Sequence, residues 1–245
     1  MKNQTDFERR SLLAMLAGLS TLGSLPGLAL ASSTKPISGT APQAHAGAEA
    51  KAYEVLNPPI AADTNRVRFL FSYECPFCRQ YHNGMHQWGA SLPKPLVFEA
   101  TPVLTSASDN QFGAVLGRLI AQAVAPQVLQ NYDFLTYGLL QGDPDTGQNP
   151  TASLSFERVL QTIVQAGADP KAVQAFLTGK GKGIEKRVPE HAKLVKTYKL
   201  TATPSVALMG RYVTTPDSAQ GNPQQFLLLL NGIVSRYIQG GASAL

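Results

Sequence analysis

The segment Cys75-Pro76-Phe77-Cys78 contains both cysteines of the 245-residue chain. It directly follows a strand-like run of β-branched and aromatic residues from Val67 to Tyr73. A disulfide between cysteines this close would form a very small ring, which removes little conformational entropy from the unfolded chain. The spacing therefore points to reactive thiols rather than to a structural cross-link.

The C-x-x-C spacing suits reversible redox chemistry when it begins a helix. Cys75 would then be the N-cap residue, where unpaired backbone N–H groups and the positive end of the helix dipole favour a thiolate. Pro76 would take the first helical position, where its missing N–H costs nothing. Cys78 would lie one turn further in and be more buried. We therefore expect Cys75 to be the nucleophile and Cys78 the resolving thiol, with Pro76 and Phe77 completing the active-site motif.

Two histidines offer an alternative interpretation of the cysteine pair as half of a zinc site. His82 and His86 complete a superficial Cys₂His₂ set with the two cysteines. If one helix runs from Pro76 to about Trp88, His86 lies about 12 Å along its axis from Cys78, whereas zinc ligands converge within about 2.0–2.3 Å of the metal. We therefore expect no metal and no cofactor, and we expect both histidines to be partly solvated helix residues.

The N-terminus has the features of an export signal. Lys2, Arg9 and Arg10 precede a charge-free stretch, residues 11–34, which contains the small-x-small pattern Ala29-Leu30-Ala31. Glycine and proline residues dilute this stretch below the roughly 20 strongly apolar residues that a membrane-spanning helix needs. We predict a signal peptide over residues 1–31, cleaved after about Ala31, and a periplasmic destination.

Two export routes remain open. Arg9-Arg10-Ser11-Leu12-Leu13 resembles a twin-arginine signal, but Glu8 occupies the position where that pattern favours Ser or Thr. The acidic residues Asp6 and Glu8 are also atypical of an ordinary secretion signal. The twin-arginine route is slightly favoured, and either route leads to an oxidising compartment.

The composition argues against nucleic acid as a partner. The formal net charge is +5, and the positive residues concentrate between Lys180 and Lys199 without the interleaved aromatic side chains of a nucleic-acid platform. A solvated helix surface explains this segment at least as well. Residues 32–52, made mostly of Ala, Ser, Thr, Pro and Gly, predict a flexible linker.

Hydrophobic periodicity predicts an α/β protein. The predicted strands are 52–56, 67–73, 96–100, 204–209 and 212–214, and the predicted helices are 76–88, 111–125, 127–141, 154–166, 170–177, 184–198 and 224–237. The strand-helix-strand order over residues 67–100 predicts a parallel pair with a right-handed crossover. The last two strands, separated by Gly210-Arg211, predict a hairpin.

This order of elements resembles the DsbA-like branch of the thioredoxin fold over roughly residues 53–237. The motifs that carry the resemblance are Cys75-Pro76-Phe77-Cys78, the segment 198–204 that ends in Thr203-Pro204, and Gly210-Arg211-Tyr212-Val213. The resemblance implies a thioredoxin fold, a central β-sheet flanked by helices, built from residues 53–104 and 199–240. Residues 105–198 would form an inserted all-helical subdomain and a connecting helix.

The resemblance also implies a substrate groove beside the cysteines. In that family the proline matching Pro204 is cis and faces the active-site cysteines. Because proline has no N–H, the backbone of Thr203 would stay exposed, and an extended substrate peptide could pair with it.

Three residues near the motif depart from the family or add a charge. Thr203 replaces a frequent Val, and its hydroxyl can approach the sulfur. Phe77 replaces the commonest His, and it cannot stabilise a thiolate by charge or hydrogen bonding. Glu74 would raise the pKa of Cys75 if it pointed inward, and we expect it to be solvated.

The activity implied by the resemblance is that of an exported thiol:disulfide oxidoreductase, which exchanges a Cys75–Cys78 disulfide with substrate thiols as an oxidase. A disulfide reductase or isomerase, and a non-catalytic peptide-binding assembly factor, stay open as alternatives. Residues 32–52 are too short and too polar to form the dimerisation domain of the related isomerases, so a monomer is expected. The implied partners are substrate proteins with free thiols or disulfides and a membrane redox partner that reoxidises the cysteine pair.

Overall fold

The computed structural model describes residues 51–143 and 146–245. The predicted signal peptide and residues 32–50 of the predicted linker lie outside the described residues. The strands are β1 (Glu54–Val55), β2 (Arg66–Phe71), β3 (Val97–Pro102), β4 (Ser205–Leu208) and β5 (Tyr212–Thr214). The helices are α1 (Pro76–Ala90), α2 (Asp109–Val124), α3 (Leu129–Gln141), α4 (Phe156–Gln165), α5 (Pro170–Thr178), α6 (Val188–Thr197) and α7 (Pro223–Gly240). Within the described ranges, no helix combines the length and the apolar character that crossing a bilayer requires.

The strands form one five-stranded sheet in the order β1-β5-β4-β2-β3. Strands β2 and β3 are parallel and are connected through α1, whereas the other neighbouring strands are antiparallel. The predicted β-α-β unit and the predicted C-terminal hairpin are therefore confirmed. The predicted first strand is present as the two-residue edge strand β1.

The basic segment 184–198 is not the single helix that the sequence predicts. Ile184–Arg187 forms a 3₁₀ turn, and α6 begins at Val188 with Pro189 in its first turn. Within one continuous helix, Pro189 would lack an N–H and its ring would clash with the carbonyl of Glu185. The proline therefore sets the start of α6, because the first turn of a helix is where its ring is tolerated.

Both faces of the central strand β2 are covered, which explains its nearly continuous apolar character. Val67, Phe69 and Phe71 belong to the larger core, which also contains buried residues of α1 and of the helices between β3 and β4. Leu70 points to the opposite face and joins a second, smaller core with Tyr198. The strand is consequently held from both sides up to its last residue.

Helix α2 packs closely against α3 and α4 at Gly117. The hydroxyl of the fully buried Tyr132, on α3, donates a hydrogen bond to the Ala114 carbonyl at 2.8 Å. A Cβ atom at position 117 would overlap that hydroxyl and would lie 2.5 Å from Cγ1 of Val159, on α4. Only glycine lets the three helices approach to this distance.

Replacing Gly117 by Ala should lower the free energy of unfolding by about 1–3 kcal/mol, the usual cost of overpacking a core. Gly113→Ala is the matched control on the same helix, because its Cβ would meet its nearest atom at an ordinary 3.4 Å. Removing a glycine from a helix interior stabilises by up to about 1 kcal/mol, so the control should be neutral or stabilising. Urea unfolding of both variants measures the difference, and equal stabilities would contradict the close packing at Gly117.

Candidate functional site

The cysteine motif lies where β2 ends and α1 begins. Cys75 is the N-cap residue of α1, with extended backbone angles, and its sulfur accepts a hydrogen bond from the Cys78 N–H at 3.4 Å. Pro76 occupies the first turn, where no N–H is needed. The local placement of both residues is the one that the sequence predicts.

The two thiols differ in their surroundings. Cys78 is fully buried, and its sulfur accepts a hydrogen bond from the Ser72 N–H at 3.4 Å. Burial, followed by the neighbouring Cys75, raises the pKa of Cys78 far above its ordinary value. Cys75 is only partly buried. One thiol is therefore accessible, and the other is enclosed directly behind it.

The thiolate of Cys75 is stabilised by hydrogen bonds from several directions. The Cys78 thiol has the largest effect, and the Thr203 hydroxyl and the backbone N–H groups of Cys78 and Phe77 add to it. Together these groups lower the pKa of Cys75 from about 9.0 to about 6, although burial of the thiol opposes the shift. Cys75 is therefore largely ionised at pH 7. An ionised thiol is the reactive form in disulfide exchange.

The segment before β4 reaches the cysteines because β4 is antiparallel to β2. The register pairs Leu70 with Ser205, so the residues just before β4 lie beside the end of β2. The Cys75 thiol donates a hydrogen bond to the Thr203 carbonyl at 3.1 Å. The Thr203–Pro204 peptide bond is cis, as the resemblance implied. The structure thus brings together Cys75, Thr203 and Pro204.

A cavity of about 370 Å³ opens beside Cys75. Its walls come from the end of β2, the segment after β3, α6 and the segment before β4. The residues that line it are Ser72, Glu74, Cys75, Thr105, Val195, Leu200, Thr201, Ala202 and Thr203. The accessible thiol therefore faces a cleft with both apolar and hydroxyl-bearing walls.

Phe77 and Glu74, which lie near Cys75 in the chain, differ in their surroundings. The Phe77 side chain is 63% exposed, so the ring is largely in solvent while its backbone N–H supports the Cys75 thiolate. Glu74 is also exposed, but its carboxylate is not free. The Ser108 hydroxyl donates to Oε1 and the Gln111 side-chain amide donates to Oε2, both at 2.6 Å. The expectation that Glu74 is solvated is confirmed, and the structure adds two hydrogen bonds that hold its carboxylate.

The expectation that both histidines are partly solvated is wrong for His82. This residue is 2% exposed, and its Nε2 lies 3.6 Å from Oδ2 of the fully buried Asp133. Burial lowers the pKa of His82 to about 4, although Asp133 opposes the shift. The imidazole is consequently neutral near pH 7. The sequence carried no sign of this, because Asp133 lies on α3 and meets α1 only through tertiary packing.

The four-residue zinc set is not assembled. Among the described residues, the ligating atoms of His82, His86 and Asp133 lie within 4.8 Å of one another, and neither cysteine belongs to this group. The Asp133 carboxylate already accepts hydrogen bonds from Arg118 Nε at 2.9 Å and from the Tyr73 hydroxyl at 2.5 Å. The buried guanidinium both neutralises the carboxylate and repels a divalent cation, which argues against a metal here.

Sequence reasoning missed the residue that connects the helical segment to the motif. The side-chain amide of Gln141, the last residue of α3, donates to the carbonyls of Tyr73 at 2.7 Å and Cys75 at 3.1 Å. It lies 66 residues from Cys75 in the chain. No local pattern marks such a residue, because its function depends on how α3 packs against α1.

Comparisons with known proteins agree with this geometry. No family model matches the chain. Among curated proteins, the chain is similar to the thiol:disulfide interchange protein DsbA of Burkholderia cepacia, with 25% identity over 219 residues that cover 84% of this chain and 88% of the relative. The DsbA of Azotobacter vinelandii is 24% identical over 168 residues, which cover 68% of this chain and 72% of the relative.

Solved structures give the same result for the fold. Proteus mirabilis DsbA with a non-covalently bound peptide, PWATCDS, superposes with a TM-score of 0.61 at 16% identity, covering 78% of this chain and 98% of the other. Pseudomonas aeruginosa DsbA gives a TM-score of 0.60 at 19% identity, covering 77% and 93%. With the sequence relatives, these structures confirm the resemblance: the chain is similar to DsbA proteins, and it has the thioredoxin fold with a helical insertion.

Proposed function

We propose that this protein is an exported thiol:disulfide oxidoreductase that donates a Cys75–Cys78 disulfide to substrate proteins. The observation that carries the proposal is the contrast between the two thiols. Cys75 is accessible with a pKa of about 6, whereas burial raises the pKa of Cys78. A thiol with a low pKa is a good leaving group, and stabilisation of its thiolate favours the reduced pair. Both properties suit an oxidase, and the sequence relatives are named thiol:disulfide interchange proteins.

The proposed reaction transfers two electrons from a substrate dithiol to the cysteine pair. A substrate thiolate attacks Sγ of Cys75, the Cys75–Cys78 bond breaks, and Cys78 leaves and takes up a proton because its buried site disfavours charge. A second substrate thiolate then attacks the substrate sulfur of the mixed disulfide, and Cys75 leaves as a thiolate. The substrate gains a disulfide, and its second proton goes to solvent.

The proposed substrate groove is the cavity beside Cys75, with Thr203 in its wall and Pro204 next to Thr203 in the chain. Its support is the contact between the Cys75 sulfur and the Thr203 carbonyl, together with the cavity that opens next to them. An extended peptide beside Thr203 would bring a substrate cysteine to Cys75. The likeness to a DsbA structure that contains a bound peptide is consistent with this use of the cleft.

The compartment and the partners follow from the same proposal. An export signal over residues 1–31 would deliver the protein to the periplasm, where disulfides persist. There, a membrane protein that carries an oxidising disulfide would reoxidise Cys75 and Cys78, so that the pair can act again. We propose that the protein acts as a monomer.

Iodoacetamide should alkylate Cys75 much faster than Cys78 in the reduced protein. The rate should rise with pH through a midpoint of about 6, because the thiolate is the reacting form. In Cys78→Ala the midpoint should move up towards the ordinary 9.0, since the most effective hydrogen bond to the thiolate is lost. Mass spectrometry of the labelled peptides over a pH series measures both effects. Equal labelling of the two cysteines in the reduced protein would contradict their assigned roles.

Cys78→Ala should accumulate mixed disulfides between Cys75 and substrate proteins, because no second thiol can release them. Non-reducing gel electrophoresis of periplasmic extracts should show adducts that dithiothreitol removes. The control is Cys75→Ala, in which the buried Cys78 should trap almost nothing. A folded, exported Cys78→Ala protein without adducts would be incompatible with the exchange mechanism.

Replacing Thr203 by Val should raise the pKa of Cys75 and lower the reduction potential of the pair, because the hydroxyl no longer stabilises the thiolate. We expect a decrease of up to about 30 mV, equivalent to about 1.4 kcal/mol for this two-electron couple. Thr203→Ser keeps the hydroxyl and should keep the potential. Equilibration with glutathione measures both variants. Identical potentials for Val and Ser at this position would show that the hydroxyl has no such role.

A further inference from the structure

Glu74 places a fixed negative charge next to the accessible thiol. It directly precedes Cys75 in the chain, and both residues line the same cavity. Ser108 and Gln111 each donate one hydrogen bond to its carboxylate. These bonds hold the carboxylate in place before any substrate arrives, so little side-chain entropy remains to be lost on binding.

No cation neutralises this carboxylate within residues 51–143 and 146–245, since none of the ion pairs there includes Glu74. Its two partners are a hydroxyl and an amide, which leave the charge in place. Each carboxylate oxygen can accept more than one hydrogen bond. Apart from Glu74 and Cys75, the residues that line the cavity carry no ionisable side chain. In the oxidised protein, where Cys75 carries no charge, Glu74 is therefore the only charged side chain among the residues that line the cavity.

We propose that Glu74 makes the protein selective for substrate cysteines with a neighbouring Lys or Arg, an inference that rests on the proposed oxidase function. A substrate sulfur must approach Cys75 to within a disulfide bond length, about 2.05 Å. The residues that flank the substrate cysteine then enter the cavity lined by Glu74. An ammonium or guanidinium group can donate hydrogen bonds to the available lone pairs of the carboxylate, whereas an acidic neighbour is repelled.

The expected selectivity is moderate because Glu74 is exposed to solvent. Exposed ion pairs change an equilibrium or rate by about 1.5- to 5-fold. A basic neighbour gains this factor and an acidic neighbour loses a similar one, so the ratio of the two rates should be about two- to 25-fold. The effect should nearly vanish at about 1 M salt, where the screening length falls to about 3 Å.

The test uses dithiol peptides that are identical except for the residue next to each cysteine, which is Lys, Gln or Glu. Stopped-flow measurements give the rate constant for oxidation of each peptide by the oxidised protein. A flanking charge also changes the reactivity of the peptide's own thiols. For each protein, the rate constant for the Lys-flanked peptide is divided by that for the Glu-flanked peptide. The intrinsic effect is the same for the unchanged protein and for Glu74→Gln, so it cancels when these two ratios are compared.

We expect the Lys-to-Glu rate ratio to fall about two- to 25-fold in Glu74→Gln, which keeps the size of the side chain and one acceptor oxygen but removes the charge. Glu157→Gln is the matched control, because it removes one exposed carboxylate that does not line the cavity. Its ratio should equal that of the unchanged protein. An equal fall in both variants would mean that only the net charge matters, and this would overturn the inference.

The two proposals fail in distinguishable ways. If Glu74→Gln leaves the ratio unchanged while the Gln-flanked peptide is oxidised, the selectivity inference is wrong and the oxidase function stands. If the oxidised protein oxidises none of the peptides, the oxidase function fails and the inference fails with it.

Discussion

The antiparallel pairing of β4 with β2 is the constraint on which the site depends. It places Ser205 opposite Leu70, and the two residues before Ser205 therefore lie at the end of β2, where α1 begins. Cys75 and Thr203 are 128 residues apart in the chain and yet make a direct contact. A shift of one residue in this register would turn the buried side chains of β4 to the opposite face of the sheet. Burial of β2 on both faces thus fixes the geometry around the thiol.

The helices between β3 and β4 take part in the site rather than merely covering it. The side-chain amide of Gln141 donates hydrogen bonds to carbonyls at the motif, and that of Gln111 donates one to the Glu74 carboxylate. The Asp133 carboxylate accepts a hydrogen bond from the Tyr73 hydroxyl. Asp133 is itself paired with the buried Arg118. Removing one member of a buried ion pair typically costs about 3–5 kcal/mol, because the other charge is left without a partner. The cluster therefore connects α2 and α3 to the end of β2.

Much of the fold follows from local patterns in the sequence. The apolar run of β2, the C-x-x-C motif behind it and the hairpin signal at Gly210-Arg211 correctly predict the order of elements and the parallel β2–β3 pair. The error at residues 184–198 has a local cause, since Pro189 marks a helix start that apolar periodicity alone does not show. The prediction that both histidines are partly solvated is wrong for His82, which is buried. The periodicity of one helix does not reveal which other helix packs against it.

The cysteine motif is a local feature of the sequence. An N-cap cysteine, a proline in the first turn and a second cysteine one turn later are consecutive residues, and helix geometry alone orders their exposure. The surroundings of these residues, in contrast, depend on contacts between segments that are far apart in the chain. Thr203, Gln141 and Asp133 come from distant segments, and their distances depend on strand register and helix packing. The same holds for the direction in which Glu74 points, because Ser108 and Gln111 belong to another helix and its cap.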